Sequence, residues 1–258
     1  MEAAFFDLDK TLLPGSSLFP LVREMYRQRL ITLTDIAKAG FDQALYRLSG
    51  AEATGPMDRA RESSLASVKD RRVEDVVEFG RDVATREIIP RFYPQAVELL
   101  SRHKRAGREV YITSSSPQDF LQVLADQLGI DGVVGTRAET VDGRYTGRLE
   151  GEMCHGPEKA RRVAELAAER GLDLTRSYAY SDSINDLPLL ELVGNPVAMN
   201  PDYRLRQMAQ RRGWQVLDFR TARRRTMVAS VAGAGAAAAA AGGYAVGYLV
   251  GRRRAASA

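Results

Sequence analysis

From residue 94 to residue 217 the sequence alternates between helix-like and strand-like segments, and this alternation constrains the fold more than any other feature. Helical patterns cover 94–106, 117–128, 157–170, 187–192 and 203–212, and short apolar runs typical of buried strands lie at 110–113, 133–134, 178–180, 197–199 and 215–217. Gly107, Gly129 and Gly171 follow three of the helical patterns, where glycine commonly ends a helix. Because repeated strand–helix units form a parallel sheet covered by helices, we predict an α/β, Rossmann-like fold that binds ligands at the carboxyl ends of its strands.

The first strand of this sheet is predicted at the N-terminus, separated from the others by a helical segment. Ala3–Phe6 is a short apolar run followed at once by two aspartates, as in a buried strand and its loop. Asp142-Gly143 predicts the turn of a β-hairpin. In the intervening segment, apolar residues recur at helical spacing near 18–26, 36–48 and 73–83. We therefore predict an α/β core made of residues 1–13 and 91–220, with a helical cap inserted at 14–90.

The formal charge of +4 is unevenly distributed along the chain. Residues 201–258 hold eleven Arg, no Lys and two Asp, a net charge of +9, so residues 1–200 carry −5. This distribution is not typical of nucleic-acid-binding proteins, whose basic residues spread over a folded face, and we predict no nucleic-acid partner. The one cysteine, Cys154, suits a reducing compartment, and residues 1–13 contain no apolar run long enough for a secretory signal. We expect the body of the protein to lie in the cytoplasm.

Residues 226–250 form an uncharged run of 25 residues between two Arg triplets. About 20 apolar residues suffice to cross a bilayer, so the run predicts a C-terminal apolar helix. Ten Ala and five Gly weaken that prediction, and a flexible tail on a cytoplasmic protein is the alternative. We interpret 221–258 as a basic linker and membrane anchor at the cytoplasmic face of the cell membrane. Glycines at 243, 247 and 251 share one helix face, which allows a weak homodimer.

Two aspartates follow the first predicted strand. Asp7 ends the strand and Asp9 lies two residues later, so both side chains can point to the same side. A carboxylate is already ionised at neutral pH, so one of the pair can attack phosphorus while the other donates a proton to the leaving oxygen. Aspartate is also common in turns, and the pair alone leaves a structural role open.

Ser114 and Lys159 are candidate ligands for an anionic group. Ser114 follows the predicted strand at 110–113, and the amides of Ser115 and Ser116 can form an oxyanion-binding turn. Ordinary capping of the next helix by these serines is the alternative. Lys159 lies near the start of the helix at 157–170, where it can neutralise a phosphoryl oxygen or remain a solvated surface lysine.

Asp182 and Asp186 follow the predicted strand at 178–180, with Ser183 and Asn185 between them. Two carboxylates with intervening hydroxyl and amide groups form an oxygen-rich site suited to Mg²⁺. An acidic helix N-terminus would have a similar composition, and that interpretation stays open here.

Taken in chain order, these residues resemble the four motifs of the haloacid dehalogenase (HAD) superfamily. The segment from Asp7 to Thr11 is similar to the D-x-D-x-T of motif I, Ser114 to motif II, Lys159 to motif III, and Asp182 with Asp186 to motif IV. The resemblance covers about residues 2–220. The stretches around motifs II to IV are most similar to subclass IB, the branch that includes phosphoserine phosphatases.

The resemblance implies a Mg²⁺-dependent phosphatase that forms an aspartyl-phosphate on Asp7. Asp9 would protonate the leaving group and then activate water, while Ser114 and Lys159 would hold phosphoryl oxygens. The implied metal ligands are Asp7, Asp9 through its carbonyl, Asp182, and Asp186, which would order the metal's water shell or orient Lys159. Thr11, Ser115 and Asn185 are assigned to substrate binding.

The substrate is less constrained than the chemistry. Phosphoserine phosphatases carry a Glu shortly after motif I, and Ser16 lies roughly at that place here, which makes phosphoserine a weaker candidate unless Glu24 substitutes. We expect a small-molecule or lipid-linked phosphomonoester, since nothing readable in the cap selects one. The alternatives are a phosphotransferase or phosphomutase on the same fold, and a membrane-tethered binding protein without turnover.

Overall fold

The computed structural model describes residues 1–29, 32, 34 and 68–220. Residues 1–217 form one compact unit, and residues 218–258 form a second, of which 218–220 are described. The predicted helix near 36–48 and the apolar run at 226–250 lie outside the described residues. Within the described part of the chain, no helix has both the length and the apolar character that a membrane span needs.

A six-stranded parallel sheet forms the centre of the first unit, as predicted. Its order is β3-β2-β1-β6-β7-β8, and every neighbouring pair runs parallel. The strands are β1 (Ala3–Asp7), β2 (Glu109–Pro117), β3 (Gly132–Thr136), β6 (Tyr178–Ser181), β7 (Asn195–Met199) and β8 (Gln215–Leu217); β4 (Ala138–Val141) and β5 (Arg144–Leu149) form a separate antiparallel hairpin.

The helices fall where the sequence places them, with short irregular turns added. They are α1 (Leu18–Arg27), α2 (Val73–Val83), α3 (Pro94–Arg105), α4 (Gln118–Leu128), α5 (Pro157–Arg170), α6 (Leu187–Leu192) and α7 (Tyr203–Arg212). A π-helical turn (Ala84–Ile88) and a 3-10 turn (Ile89–Arg91) follow α2, and a second 3-10 turn (Ile184–Asp186) precedes α6. Gly129 and Gly171 end α4 and α5 in the left-handed conformation, with φ of 61° and 65°.

The start of α4 differs from the prediction by one residue. We expected the helix to begin at Pro117, but β2 continues to Pro117, which pairs with Thr136 of β3 beyond a register shift. The backbone of Pro117 is extended, with ψ of 133°. The serine-rich segment 114–116 is therefore part of an irregular strand end rather than a helix cap.

Strand β1 lies in the middle of the sheet, and all five of its residues are buried. Phe6 stacks on Tyr180 with ring centroids 4.3 Å apart, and Phe5 stacks on Tyr111 at 5.5 Å. Aromatic contacts of this kind add to the free energy gained by burial. They fix β1 against its neighbours, so the residue that ends the strand, Asp7, has a well-defined position.

The end of the predicted cap pairs with the hairpin. The amides of Asp70 and Val73 donate to the carbonyls of Tyr145 and Gly143 at 2.8 and 2.9 Å, and the amide of Tyr145 donates to the carbonyl of Arg71 at 3.0 Å. Residues 70–73 therefore lie along the β4–β5 hairpin, joined to it by backbone hydrogen bonds and an isolated antiparallel bridge between Arg72 and Arg144. The division of the chain into a core and a cap at 14–90 stays a prediction, because much of that range lies outside the described residues.

Candidate active site

The parallel sheet brings the ends of three strands together. Asp7 pairs with Thr113 in the register of β1 and β2, and Phe6 pairs with Tyr180 in the register of β1 and β6. Ser114, near the end of β2, and Asp182, which follows β6, therefore lie on either side of Asp7. All three side chains are buried, with Asp7 8% and Asp182 7% exposed.

Lys159 lies between two of the predicted acidic residues. Its Nζ donates to Asp7 Oδ1 and to Asp186 Oδ2, each at 2.9 Å, and the lysine is only 2% exposed. Burial lowers the pKa of Lys159, but the charges of Asp7 and Asp186 outweigh it and hold that pKa above its usual range. The structure thus excludes a solvated surface lysine at this position.

Asp7 has a second partner in the same loop. Burial raises the pKa of Asp7, while Lys159 opposes that rise by stabilising the carboxylate. The hydroxyl of Thr11 donates to Asp7 Oδ2 at 3.0 Å. Both oxygens of Asp7 are therefore held in place. Because the hydroxyl of Thr11 is bound to Asp7, its assignment to substrate binding stays a prediction.

Asp186 is engaged by protein groups on one oxygen. Besides Lys159, the hydroxyl of Ser181 donates to Asp186 Oδ2 at 2.7 Å. Asn185, in the same turn, has an exposed side chain. The backbone amide of Asn185 donates to the hydroxyl of Ser183 at 3.2 Å. The carboxylate of Asp186 therefore shares Lys159 with Asp7.

Asp182 has a different environment. Burial, and then the charge of Asp7, raise the pKa of Asp182 to about 7. The charge of Lys10 opposes this rise, but no described residue donates a hydrogen bond to the carboxylate of Asp182. Within residues 1–29 and 68–220, no three His, Cys, Asp or Glu side chains form a ready-made metal cluster. Asp7 and Asp182 together nevertheless offer hard oxygen donors of the kind that Mg²⁺ prefers.

The carboxylate of Asp9 is turned toward the loop that follows it. The hydroxyl of Ser16 donates to Asp9 Oδ2, and the amide of Ser17 donates to Asp9 Oδ1, both at 2.8 Å. Ser16 was considered from the sequence only as the replacement of a substrate-binding Glu, and its contact with Asp9 was not anticipated. A hydroxyl residue seven positions after an aspartate gives no recognisable signal in one sequence.

The two serines assigned to anion binding lie at the end of β2. Ser114 is 3% exposed, and its hydroxyl accepts from the amide of Ser116 at 3.2 Å. Ser115 is exposed, and its carbonyl accepts from the hydroxyl of Thr136 at 2.7 Å. That second contact fixes the backbone of the serine turn next to the strand that ends in Asp7.

Asn200 is a further residue of this loop cluster that sequence reasoning missed. It follows β7, is 1% exposed, and has a left-handed backbone with φ of 52°. Its side-chain nitrogen donates to the carbonyls of Lys10 and Thr11 at 3.1 and 3.2 Å, which fixes the loop that carries Asp9. The Asn-Pro dipeptide at 200–201 is a turn signal, but nothing in it indicates this long-range contact.

Residues 4–191 match the family of haloacid dehalogenase-like hydrolases. The chain belongs to this family. The matched range runs from β1 into α6 and includes Asp7, Ser114, Lys159, Asp182 and Asp186. The resemblance read from the four motifs is therefore confirmed.

Several curated relatives of this HAD-like hydrolase are named as phosphatases. Phosphoserine phosphatase SerB1 of Mycobacterium tuberculosis is 41% identical over 222 residues, which cover 86% of this chain and 72% of that protein. A histidinol-phosphatase of Neisseria meningitidis is 34% identical over 221 residues, covering 84% of this chain and 98% of that protein. Among solved structures, a protein of unknown function from Bordetella pertussis is 33% identical with a TM-score of 0.74, covering 84% of this chain and 98% of that one.

Proposed function

We propose that this HAD-like hydrolase is a Mg²⁺-dependent phosphatase that transfers the phosphoryl group of a phosphomonoester first to Asp7 and then to water. One observation carries the proposal: Lys159 is buried between Asp7 and Asp186 at the carboxyl end of the sheet. In this pair the buried carboxylate of Asp7 provides the nucleophile, and the charged Lys159 provides a cation for the phosphoryl oxygens.

In the first step an oxygen of Asp7 attacks phosphorus, and the bond from phosphorus to the leaving oxygen breaks. Asp9 donates a proton to that oxygen, which leaves as an alcohol. In the second step Asp9 removes a proton from water, the water oxygen bonds to phosphorus, and the bond from phosphorus to Asp7 breaks. Ser114 and Lys159 hold the remaining phosphoryl oxygens in both steps, where positioning and charge dominate the rate.

Asp7, Asp182 and the carbonyl of Asp9 are the groups that would hold Mg²⁺. The fit is supported by the raised pKa of Asp182 and by the absence of any hydrogen bond from a described residue to its carboxylate. When bound, Mg²⁺ supplies positive charge that reduces the repulsion between Asp7 and an anionic phosphoester. Asp186 supports the site by orienting Lys159, which is the second of the two roles expected for it.

We infer that the substrate is a small phosphomonoester. The relatives named for phosphoserine and histidinol phosphate support this class, since both compounds are small amine-bearing esters. The hydroxyl of Ser16 is bound to Asp9, so the residue at the place of the substrate-binding Glu is already engaged. Phosphoserine and histidinol phosphate are therefore compared directly with alkyl and lipid phosphates in the test.

The test is phosphate release by the full-length protein from this panel, with Mg²⁺ and with excess chelator. Release of inorganic phosphate that requires Mg²⁺ supports a phosphatase. Transfer of the phosphoryl group to an added alcohol or sugar in place of release would assign a phosphotransferase. Binding of a phosphomonoester without any turnover, with Mg²⁺ present, would contradict the proposal and favour a binding protein.

Asp7→Asn tests the covalent step. Asparagine is nearly the same size but forms no acyl-phosphate, so turnover should fall below about one per cent of wild type, because loss of a nucleophile costs several orders of magnitude. Thermal unfolding and circular dichroism check that the variant is folded. A folded variant that keeps more activity than this would contradict the aspartyl-phosphate on Asp7.

A further inference from the structure

Asp202 joins the loop after β7 to the loop that carries Asp182. Strands β6 and β7 are parallel neighbours with Ser181 opposite Ala198, so the loops that follow them meet. The amide of Asp202 donates to the carbonyl of Asp182 at 2.7 Å. In return, the amide of Ile184 donates to Asp202 Oδ2 at 3.1 Å. Asp202 therefore contacts both Asp182 itself and the backbone two residues after it.

The other oxygen of Asp202 has a separate use. Asp202 Oδ1 accepts from the amide of Leu205 at 2.7 Å and so caps the N-terminus of α7. Capping alone does not require an acid, because Asn and Ser cap helices about as well as Asp. Here the amides of Ile184 and Leu205 reach different oxygens of Asp202, and a carboxylate offers two acceptor oxygens whereas the side-chain amide of Asn offers one.

The rest of the 182–186 turn is fixed mainly by contacts within itself. Ser181 Oγ accepts from the amide of Ser183, and Ser183 Oγ accepts from the amide of Asn185, each at 3.2 Å. Among the described residues, the bond from Ile184 to Asp202 ties the middle of this turn to another part of the sheet. It lies two residues from Asp182, whose carboxylate receives no hydrogen bond from the described residues.

We propose that Asp202 is a positioning residue for the Mg²⁺ site, which holds Asp182 in place by binding its carbonyl and the amide of Ile184, two residues after it. The inference rests on the proposed function for the identity of the metal. Groups that orient metal ligands typically change metal affinity about 10- to 100-fold when they are mutated. Asp202 does not contact the metal itself in this proposal.

The test measures the dissociation constant of Mg²⁺ alone by isothermal titration calorimetry on the full-length protein. In Asp202→Asn, an NH₂ group replaces one of the two carboxylate oxygens. If the remaining oxygen caps α7 by accepting from Leu205, the NH₂ group faces the amide of Ile184; in the opposite orientation the contact with Leu205 is lost. One of the two contacts is therefore lost in either case. We expect Mg²⁺ binding to weaken about 10- to 100-fold. Asp173→Asn is the charge control: Asp173 is exposed, accepts from Thr175, and precedes β6 at the opposite end of the strand.

A second pair of variants tests the contact between Ile184 and Asp202 without changing any charge. Ile184→Pro eliminates the donor amide, and Ser183 before it is already extended, with φ of −114° and ψ of 139°, as a residue preceding proline should be. Ile184→Ala keeps the amide and controls for the lost side chain. We expect the proline variant to bind Mg²⁺ more weakly than the alanine variant by a factor similar to that of Asp202→Asn.

Saturating Mg²⁺ should restore the kcat of Asp202→Asn, a recovery that general structural damage would not show. Mg²⁺ affinity within about twofold of wild type in Asp202→Asn, or equal affinity in the two Ile184 variants, overturns the proposal. If Asp202→Asn does not fold, the Ile184 pair decides. A wild-type protein that binds Mg²⁺ but hydrolyses no phosphomonoester contradicts the proposed function, while the binding data still judge Asp202.

Discussion

At the scale of single residues, the two aspartates of the first loop differ in what surrounds their carboxylates. Asp7 is buried and contacts Lys159 and Thr11. Asp9 is partly buried and accepts from Ser16 and Ser17 on the side of the predicted cap. A carboxylate beside a cation suits nucleophilic attack, whereas one held near the loop entrance suits proton exchange with a leaving group or with water.

Asp9→Asn separates the acid–base role from the nucleophile. Hydrolysis of an alkyl phosphate should slow strongly, because an alkoxide leaves poorly without a proton. Hydrolysis of p-nitrophenyl phosphate should slow less, since its leaving group hardly needs protonation. Steady-state kinetics on both substrates measure the difference. Equal losses on the two substrates would mean that Asp9 has a structural role instead.

Lys159→Met tests the charge balance of the buried site. Removing one partner of a buried ion pair typically destabilises a protein by about 3 to 5 kcal/mol, because the remaining charge is left uncompensated. We expect a loss of this size in the free energy of unfolding at pH 7, measured by urea denaturation. Lys69→Met, at an exposed lysine, should change it by less than about 0.5 kcal/mol.

The same variant has a predictable pH dependence. Burial raises the pKa of Asp7 in the folded state, so the folded protein binds a proton at this carboxylate more tightly than the unfolded chain does. The stability that this proton contributes is lost as the pH rises from the pKa of Asp7 in the unfolded chain through its pKa in the folded protein. Lys159 opposes the rise in the pKa of Asp7, so removing Lys159 raises that pKa further and widens the pH range over which stability is lost. The deficit of Lys159→Met should therefore shrink as the pH is lowered from 7 to 5. A deficit that is constant over this range would contradict an electrostatic origin.

The residues of the site were predictable from the sequence, but their contacts were not. Asp7, Ser114, Lys159 and Asp182 were identified because each follows a strand or begins a helix in a pattern with a chemical meaning. Ser16 and Asn200 act through loops that meet only in three dimensions. Each makes its contact through an ordinary hydroxyl or amide, a group that occurs in many positions without any such role.

At the scale of elements, α3 is attached to the sheet through a buried histidine. His103 is 4% exposed, its Nε2 lies 2.7 Å from the hydroxyl of Tyr180, and its ring packs edge-on against Phe6 and Tyr178. Its Nδ1 is buried without a hydrogen-bond partner. Burial, then the charges of Arg108 and Arg102, lower the pKa of His103 to about 4. The histidine is therefore neutral in the folded protein at physiological pH.

This attachment predicts acid sensitivity. Between pH 6.5 and 4 the unfolded chain protonates His103 while the folded protein does not, so stability falls as the pH falls through that window. From pH 7.5 to pH 5, the wild type should lose about 1 kcal/mol more unfolding free energy than His103→Gln, whose side chain does not titrate. Urea denaturation of both proteins at the two pH values measures this. Parallel pH profiles for the two proteins would exclude His103 as the cause.

The regular elements followed from periodicity, and the irregular ones did not. The strand runs, the glycine stops at 129 and 171 and the helical spacing outside 36–48 are local signals, and each matches an element of the described residues. The π-helical turn at 84–88 and the 3-10 turn at 184–186 depend on how neighbouring elements pack, which a single-sequence pattern does not contain. The extension of β2 to Pro117 has the same origin, since it depends on pairing with β3.

At the scale of the whole molecule, the distribution of charge and apolar residues predicts attachment to a membrane through 226–250. Full-length protein should pellet with membranes and resist high-salt and carbonate washes, because a span is held by hydrocarbon rather than by charge. A chain ending at Arg220 should be soluble and equally active. Fractionation followed by a phosphatase assay measures both. Release of the full-length protein by salt alone would indicate a peripheral contact of the Arg-rich end instead.

The backbone contacts between residues 70–73 and the β4–β5 hairpin have a consequence for motion. The end of the predicted cap is bonded to the hairpin through backbone amides, so a displacement of residues 70–73 either carries the hairpin along or breaks those bonds together. The amides of Asp70, Val73 and Tyr145 are thus natural reporters of opening. In hydrogen–deuterium exchange these three amides should share one rate, set by the separation of residues 70–73 from the hairpin rather than by the accessibility of each residue.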